Sequence, residues 1–254
     1  LEYKDNMIKK GVNMENAITY RVYGRYALFT DPLTRVGGEK SSLFVPTYQA
    51  LIGITESIYW KPTIRWKIDK VRVINPICTE SKGTRPIRYG GGNDLSYTTY
   101  LSDVVYIVKA HFEQNPNRPD LSHDYNENKH YFIAKRCLEK GGRRDVFLGT
   151  RECSAYVEPC EFKEEKGFYD SRGDMEFGLQ FHSFSYPDYN GKDMLYAQFW
   201  RPKMVNGVIE FCKPEECTVI KEVHKQGMKK FIEGRNFSGL NEPGLLDGYK
   251  EVQV

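Results

Sequence analysis

VPTYQALIGITESIYWKPTIRWKIDKVRVI, residues 45–74, changes its hydrophobic period halfway along. In the first half Tyr48, Leu51, Ile52, Thr55, Ile58 and Tyr59 recur at the spacing of one helical stripe. Pro46 suits the first helical position, where a missing N–H costs nothing. After Pro62 the period shortens to two, and Ile64, Trp66, Ile68, Val71 and Val73 read as the buried face of a strand. The single slip of phase between Ile68 and Val71 predicts a bulge.

The flanking segments complete a pattern. ITYRVYGRYALF (18–29) alternates as a tyrosine-rich strand, and a loop with Gly37 and Gly38 leads on to the helix. After the second strand comes a long basic loop, ESKGTRPIRYGGGNDLS (80–96), and then a β run over about 97–112. NENKHYFIAKR (126–136) is helical, with Asp124 and Glu127 spaced for a capping box and Gly141-Gly142 to end it. DVFLGTRECSAYV (145–157) supplies the last strand. The order β-α-β-β-α-β is that of an α+β, ferredoxin-like (RRM-like) domain, expected over residues 14–158. Residues 159–254 change character. EFGLQFHSFSYP (176–187), DMLYAQFWRPKMV (193–205) and VIEF (208–211) are strand-like, and Asn206-Gly207 marks a hairpin turn between the last two. A small antiparallel sheet, a short helix near 223–234 and a loose tail are expected there. Residues 1–13 lack periodicity and read as a disordered tag or extended start, with Met14 as a native start.

Composition excludes several classes. With 254 residues, 40% hydrophobic and 28% charged, the chain has the make-up of a soluble globular protein. Its apolar runs, such as VVYIV at 104–108, fall far short of the ~18 residues of a membrane span. No signal-peptide pattern opens it, so a cytoplasmic protein that does not engage membrane is expected. Cys78 and Cys137 sit inside apolar patterns. Cys153, Cys160, Cys212 and Cys217 are separated by six and four intervening residues, looser than the usual two to about four of a zinc site. Reduced cysteines, and neither metal nor cofactor, are expected.

Charge is unevenly spread although the net is only +3. Residues 61–90 hold eight basic and two acidic side chains, and 126–151 hold seven and three. Residues 158–188 reverse the balance, with three basic and eight acidic. One face for a polyanion and another turned toward protein fit this polarity, as does an uneven solvated surface. GGGND lacks the lysine of a phosphate loop, and neither H-x-x-x-H nor G-x-S-x-G occurs. His111, His123, His182 and His224 each stand alone.

Lys129 and His130 stand together near a helix start. Adjacent helical residues point ~100° apart, so they converge only on a large anion, which the free N–H groups of a first turn also favour. Tyr48 starts the other helix and reads equally as a core tyrosine. When two helices share one face of a sheet their starts frame one groove, and a tyrosine, a lysine and a histidine there suffice for metal-free RNA cleavage.

Four blocks carry a resemblance: residues 24–64, TESKGTRPIRYGGGNDLSYTTYL (79–101), NENKHYFIAKR, and GGRRDVFLGTRECSAYVEPC (141–160). In this order they resemble the CRISPR-associated RAMP-superfamily protein of the type I-C (Dvulg) system, the processing member of the fifth Cas family. The likeness runs from about Ile18 to Cys160 and more loosely beyond. It implies a metal-independent endoribonuclease that cuts the repeat hairpin of CRISPR precursor RNA, leaves 2′,3′-cyclic phosphate and 5′-OH ends, and stays bound in the interference complex. The family's Tyr/Lys/His set falls on Tyr48, Lys129 and His130. Lys82, Arg85 and Arg88 of the basic loop, with Arg143 and Arg144 after the second helix, are the expected RNA contacts. The implied partners are the repeat hairpin and the other type I-C subunits, with double-stranded DNA as a further candidate. Two other readings stay open: a non-catalytic subunit capping the guide's 5′ end, and a single-strand binder stacking bases on Tyr20, Tyr23 or Tyr26.

Overall fold

The computed structural model describes residues 16–31, 34 and 39–241. The expected tag, Met14 and the Gly37-Gly38 turn lie outside the described residues. In order the chain forms β1 (Ala17–Ala27), a two-residue β2 (Lys40–Ser41), α1 (Tyr48–Ile58), β3 (Ile64–Val73), β4 (Cys78–Thr84), β5 (Ser96–Gln114), α2 (Glu127–Glu139), β6 (Val146–Phe147) and β7 (Ser154–Pro159). β5 pairs antiparallel with β1 on one edge and β3 on the other, and β7 adds to the outer edge of β1. α1 therefore carries the chain from β1 to β3 across the intervening β5, and α2 carries it from β5 to β7 across β1.

The expected stripe of α1 is buried at Tyr48, Leu51, Ile52, Thr55 and Ile58, with Tyr59 just beyond. The helix starts at Tyr48, later than Pro46 suggests, because the Thr47 side chain accepts the Ala50 N–H and caps it there. Tyr20 on the inner face of β1 hydrogen-bonds Thr55 at 2.8 Å, and Trp66 of β3 donates to the Tyr59 carbonyl at 2.7 Å. Both bonds satisfy polar atoms inside the core while locking α1 onto the sheet. The slip in β3 is a bulge: Ile68 pairs with Ala110 and Lys70 with Lys109, leaving Asp69 extra. Asp69 uses that freedom to reach His111 Nδ1 at 2.6 Å. α2 is capped by Asn126, whose side chain accepts the Lys129 N–H, and not by Asp124, which instead accepts the Leu240 N–H. It ends as expected before Gly141 and Gly142, both at positive φ.

The basic loop differs from expectation. Its first part is strand β4, paired with β5 from Cys78↔Ser102 to Thr84↔Ser96, so 78–102 is a long hairpin. Most of its side chains are exposed, so no alternation of apolar residues advertises the strand.

Beyond residue 158 the chain forms β8 (Asp174–Glu176), β9 (Gln180–Ser185), the one-turn α3 (Pro187–Asn190), β10 (Met194–Trp200), β11 (Lys203–Val205), β12 (Val208–Glu210) and β13 (Val219–Lys225). Asn206 and Gly207, at φ 46 and 80, turn the expected β11–β12 hairpin. β12 then pairs with β3, so the first sheet runs on across the expected boundary in the order β6-β7-β1-β5-β3-β12-β11-β8. Strands β9, β10 and β13 make a second antiparallel sheet. No helix forms at 223–234. Val219 and Ile220 are β-branched and pair as part of β13 with Phe199 and Gln198 of β10, Val223 falls at a bulge, and no regular helix follows among the described residues. Among the described residues no helix is long and apolar enough to cross a membrane.

Gly149 fixes how the β6–β7 turn meets β1. It sits at φ +94, and a Cβ there would lie 2.0 Å from the Leu28 carbonyl oxygen. That oxygen belongs to backbone held by the Leu28 N–H to Leu148 carbonyl bond at 3.0 Å. Gly149→Ala is expected to cost at least about 2 kcal/mol, since backbone strain and a backbone clash add. A thermal melt should show a drop of several degrees; an unchanged melt would refute this close approach.

Candidate functional site

His130 lies one turn into α2, fully buried. Its Nδ1 meets the Tyr59 hydroxyl at 2.8 Å, and Thr63 Oγ1 lies 3.4 Å from Nε2. The rings of Tyr59, Phe112 and Tyr125 pack around it at 5.5–6.0 Å. Burial, helped by the nearby Lys61 charge, pulls its pKa down to about 4, so the imidazole is neutral at pH 7. Lys129 precedes it on the half-buried shoulder of the helix.

Tyr48 opens α1 with 5% of its surface exposed. Its ring stacks on His182 at 4.4 Å and meets Phe211 edge-on at 5.5 Å, and its hydroxyl meets the Ile68 backbone. Burial raises the pKa and keeps the phenol protonated. The structure thus keeps Lys129 and His130 together, while Tyr48 and His130 have separate sets of neighbours.

The expected RNA contacts fall in two places. Lys82, Arg85 and Arg88 are on the β4–β5 hairpin, where Lys82 sits 3.4 Å above the Tyr26 ring and Arg88 pairs with Asp94 at 3.0 Å. Tyr89 and Ile87 at the hairpin tip are almost wholly exposed. Arg143 and Arg144 instead line a cavity of about 360 Å³ with Trp60, Lys61 and Arg235. Their backbone N–H groups bond the Ser57 and Ile58 carbonyls, which fixes this corner against the end of α1. Lys61 is itself buried and bonds the carbonyls of Ser238 and Gly239, so one lysine adjoins both the cavity and the imidazole. Sequence reasoning missed Tyr59, Lys61 and Arg235, because their roles depend on the packing of segments far apart in the chain.

The acidic stretch is largely answered within the chain. Glu158 and Glu165 pair with Arg21, Asp170 with Arg72, and Asp188 with Arg118. Trp200, in the strand that follows, is buried against His182 and Phe211. All six cysteines are free. Among the described residues one group of metal-ligating type gathers, and it is not the four-cysteine set: His182, Cys212 and Cys217 come together without Cys153 and Cys160.

Against known proteins, the family model described as CRISPR-associated protein (Cas_Cas5), of the Cas5d type, matches residues 17–212. The chain belongs to this Cas5 family of CRISPR-associated proteins. A Mannheimia succiniciproducens protein named CRISPR pre-crRNA endoribonuclease Cas5d is 29% identical over 225 residues, covering 78% of this chain and 95% of its own. A Thermus thermophilus protein of the same name is 30% identical over 172 residues, covering 63% of this chain and 72% of its own. A crystal structure described as that of a CRISPR-associated protein superposes with a TM-score of 0.69 at 41% identity, covering 81% of this chain and 96% of that one.

Two histidines should titrate in opposite directions. The Asp69 hydrogen bond holds His111 above the ordinary 6.5, while burial holds His130 near 4. His130 is therefore charged mainly in the unfolded chain between pH ~4 and ~6.5, and stability from its neutral burial is lost as pH falls through that window. NMR titration of the free protein, with His130 assigned by its loss in His130→Gln, should show this split. A His130 midpoint at or above 6.5 would mean that the ring is open to water.

Proposed function

We propose that the chain is an endoribonuclease that cuts the repeat hairpin of CRISPR precursor RNA and stays bound as a subunit of the type I-C interference complex. The observation that carries this is Lys61, which joins a cavity ringed by Arg143, Arg144 and Arg235 to the imidazole of His130. Clustered guanidinium groups suit an RNA backbone, and a neutral imidazole beside them suits proton transfer. The names carried by the two curated relatives agree. The strand order β7-β1-β5-β3 with two crossover helices supports a ferredoxin-like processing domain over 14–158, flanked by the remaining sheet and tail.

The 2′-OH attacks the adjacent phosphorus and expels the 5′-oxygen, leaving a 2′,3′-cyclic phosphate and a 5′-OH. His130, neutral at pH 7, takes the 2′ proton. The role that the family resemblance gives Tyr48, proton donor to the leaving oxygen or holder of the phosphate, requires RNA binding to bring it to the same phosphate, since Tyr48 opens α1 whereas His130 bonds Tyr59 just beyond the far end of that helix. Lys129 stabilises the charge that builds on the phosphorane. These side chains cover every proton and charge role, so no metal ion enters the step. Residues 238–240 lie across this region through the Lys61–Ser238 and Asp124–Leu240 bonds, and RNA entry displaces them. Lys82, Arg85 and Arg88 hold the hairpin stem by its phosphates. The neighbouring complex subunits, and duplex DNA in the assembled complex, are the further partners.

A second reading, a non-catalytic subunit that caps the guide RNA, is favoured by the complete burial of His130 and by its having partners separate from those of Tyr48. Single-turnover cleavage of the repeat RNA at saturating enzyme, in EDTA, separates the two. In the first reading wild type cleaves, His130→Ala is slower by about 10²–10⁴-fold with little change in binding, and Tyr48→Phe and Lys129→Ala also slow. Charge reversal at Arg143 and Arg144 weakens binding and flattens its salt dependence. Tight binding with no cleavage by wild type, with or without Mg²⁺, would establish the second reading.

A further inference from the structure

Behind Tyr48, three ligating atoms from three segments converge. His182 is on β9, Cys212 follows β12, and Cys217 ends the 3₁₀ turn Pro214–Glu216. The nearest imidazole nitrogen and the two sulfurs all lie within 4.8 Å of one another. His182 is fully buried, Cys217 is 8% exposed and Cys212 is half-buried.

A hydrogen-bond relay fixes which ring nitrogen is available. The Gln198 amide donates its Nε2 to the Pro214 carbonyl at 2.6 Å, so its Oε1 is an acceptor. Ser183 Oγ spends its one proton on that oxygen at 3.0 Å. The contact at 2.8 Å between Ser183 Oγ and His182 Nδ1 must then be donated by the ring. Nε2 is left with a bare lone pair. It is buried, and among the described residues no group meets it in full hydrogen-bonding geometry, although the Cys212 backbone carbonyl approaches the ring. A buried acceptor without a partner is destabilising, and here it shares its pocket with two thiols.

We propose that His182 Nε2, Cys212 and Cys217 bind a zinc ion. Two sulfurs and an imidazole are the donor set that selects zinc over harder cations. Around a tetrahedral zinc the ligand atoms stand about 3.5–3.8 Å apart, so the observed cluster needs only a small contraction. Three protein ligands leave the fourth position to water. The relay through Ser183 and Gln198 is the outer support that metal-bound histidines use to hold their tautomer and orientation. The ion joins β9 of the three-stranded sheet to the segment after β12 of the larger sheet. Because Tyr48 stacks on His182 at 4.4 Å, it also fixes the surface on which that tyrosine rests. The ion would tie the two sheets together whatever the chain does to RNA, so the proposal does not depend on the nuclease reading.

The test is metal analysis of untagged, full-length protein purified with zinc in the medium and passed through a weak chelator. One zinc per chain is expected, released when a mercurial blocks the thiols and counted with a chromogenic zinc indicator. Cys212→Ser and Cys217→Ser should each lower zinc content by about tenfold or more, while Cys160→Ser keeps it. Should the serine variants fail to fold, wild type loaded with Co²⁺ still reports: tetrahedral d–d absorption and thiolate-to-cobalt charge transfer are expected. Wild type with less than about a tenth of an equivalent of zinc would overturn the proposal, whether its two thiols prove freely titratable or joined in a Cys212–Cys217 disulfide.

Discussion

Strand β5 is hydrogen-bonded along both edges, to β1 over Leu101–His111 and to β3 over Tyr106–Gln114. A strand held on both sides cannot slide without turning every side chain to the wrong face. Both helices are positioned by that constraint, since each packs on strands whose register β5 sets. Phe112 near its end touches Trp66 beneath α1 and His130 of α2, so a single ring carries the register of the sheet to the imidazole. At its other end β5 outruns β1 and β3 and pairs with β4, which extends the basic hairpin away from the main sheet.

Burial sets the chemistry of this scaffold more than pairing of charges does. Tyr20, Tyr48, Tyr59 and Tyr106 are all held protonated by desolvation, and His130 is held neutral. The protein therefore offers a phenol and an imidazole in the forms that general acid and general base require at neutral pH, but both are sealed from solvent. Positive charge gathers beside the imidazole at Lys61, Arg143, Arg144 and Arg235. The acidic stretch after residue 158 is tied back by Arg21, Arg72 and Arg118, which leaves the basic cavity and hairpin as the surfaces suited to a polyanion.

The legible parts of the sequence are those where a period or a turn has one physical meaning. The α1 stripe shows because its apolar residues repeat at the helical spacing, and the β3 bulge because a slip of phase has few other causes. Asn206-Gly207 shows because few residue pairs accept two positive φ angles. Strand β4 does not show, since its exposed side chains follow no pattern, and β13 was hidden among lysines. Asn126 displaced Asp124 as the cap of α2 because Asp124 found the Leu240 N–H, a contact more than a hundred residues away. The same limit applies to the site. Lys129 and His130 are adjacent in sequence and easily singled out, whereas Tyr59, Lys61 and His182 acquire their partners only on folding. The Cys212–Cys217 spacing is visible in the sequence, but nothing there points to His182, thirty residues upstream.

If the chain cuts RNA through its own 2′-hydroxyl, the nucleophile is part of the substrate and can be removed there without touching the protein. The direct measurement is cleavage of a repeat RNA carrying a single 2′-deoxy substitution immediately 5′ of the scissile phosphate, with binding followed in parallel. The account predicts that the substituted RNA binds as the unmodified one does and is not cut at that position, while the unmodified RNA yields a 2′,3′-cyclic phosphate. Cleavage of the deoxy substrate at the same phosphate, at a comparable rate, would contradict it.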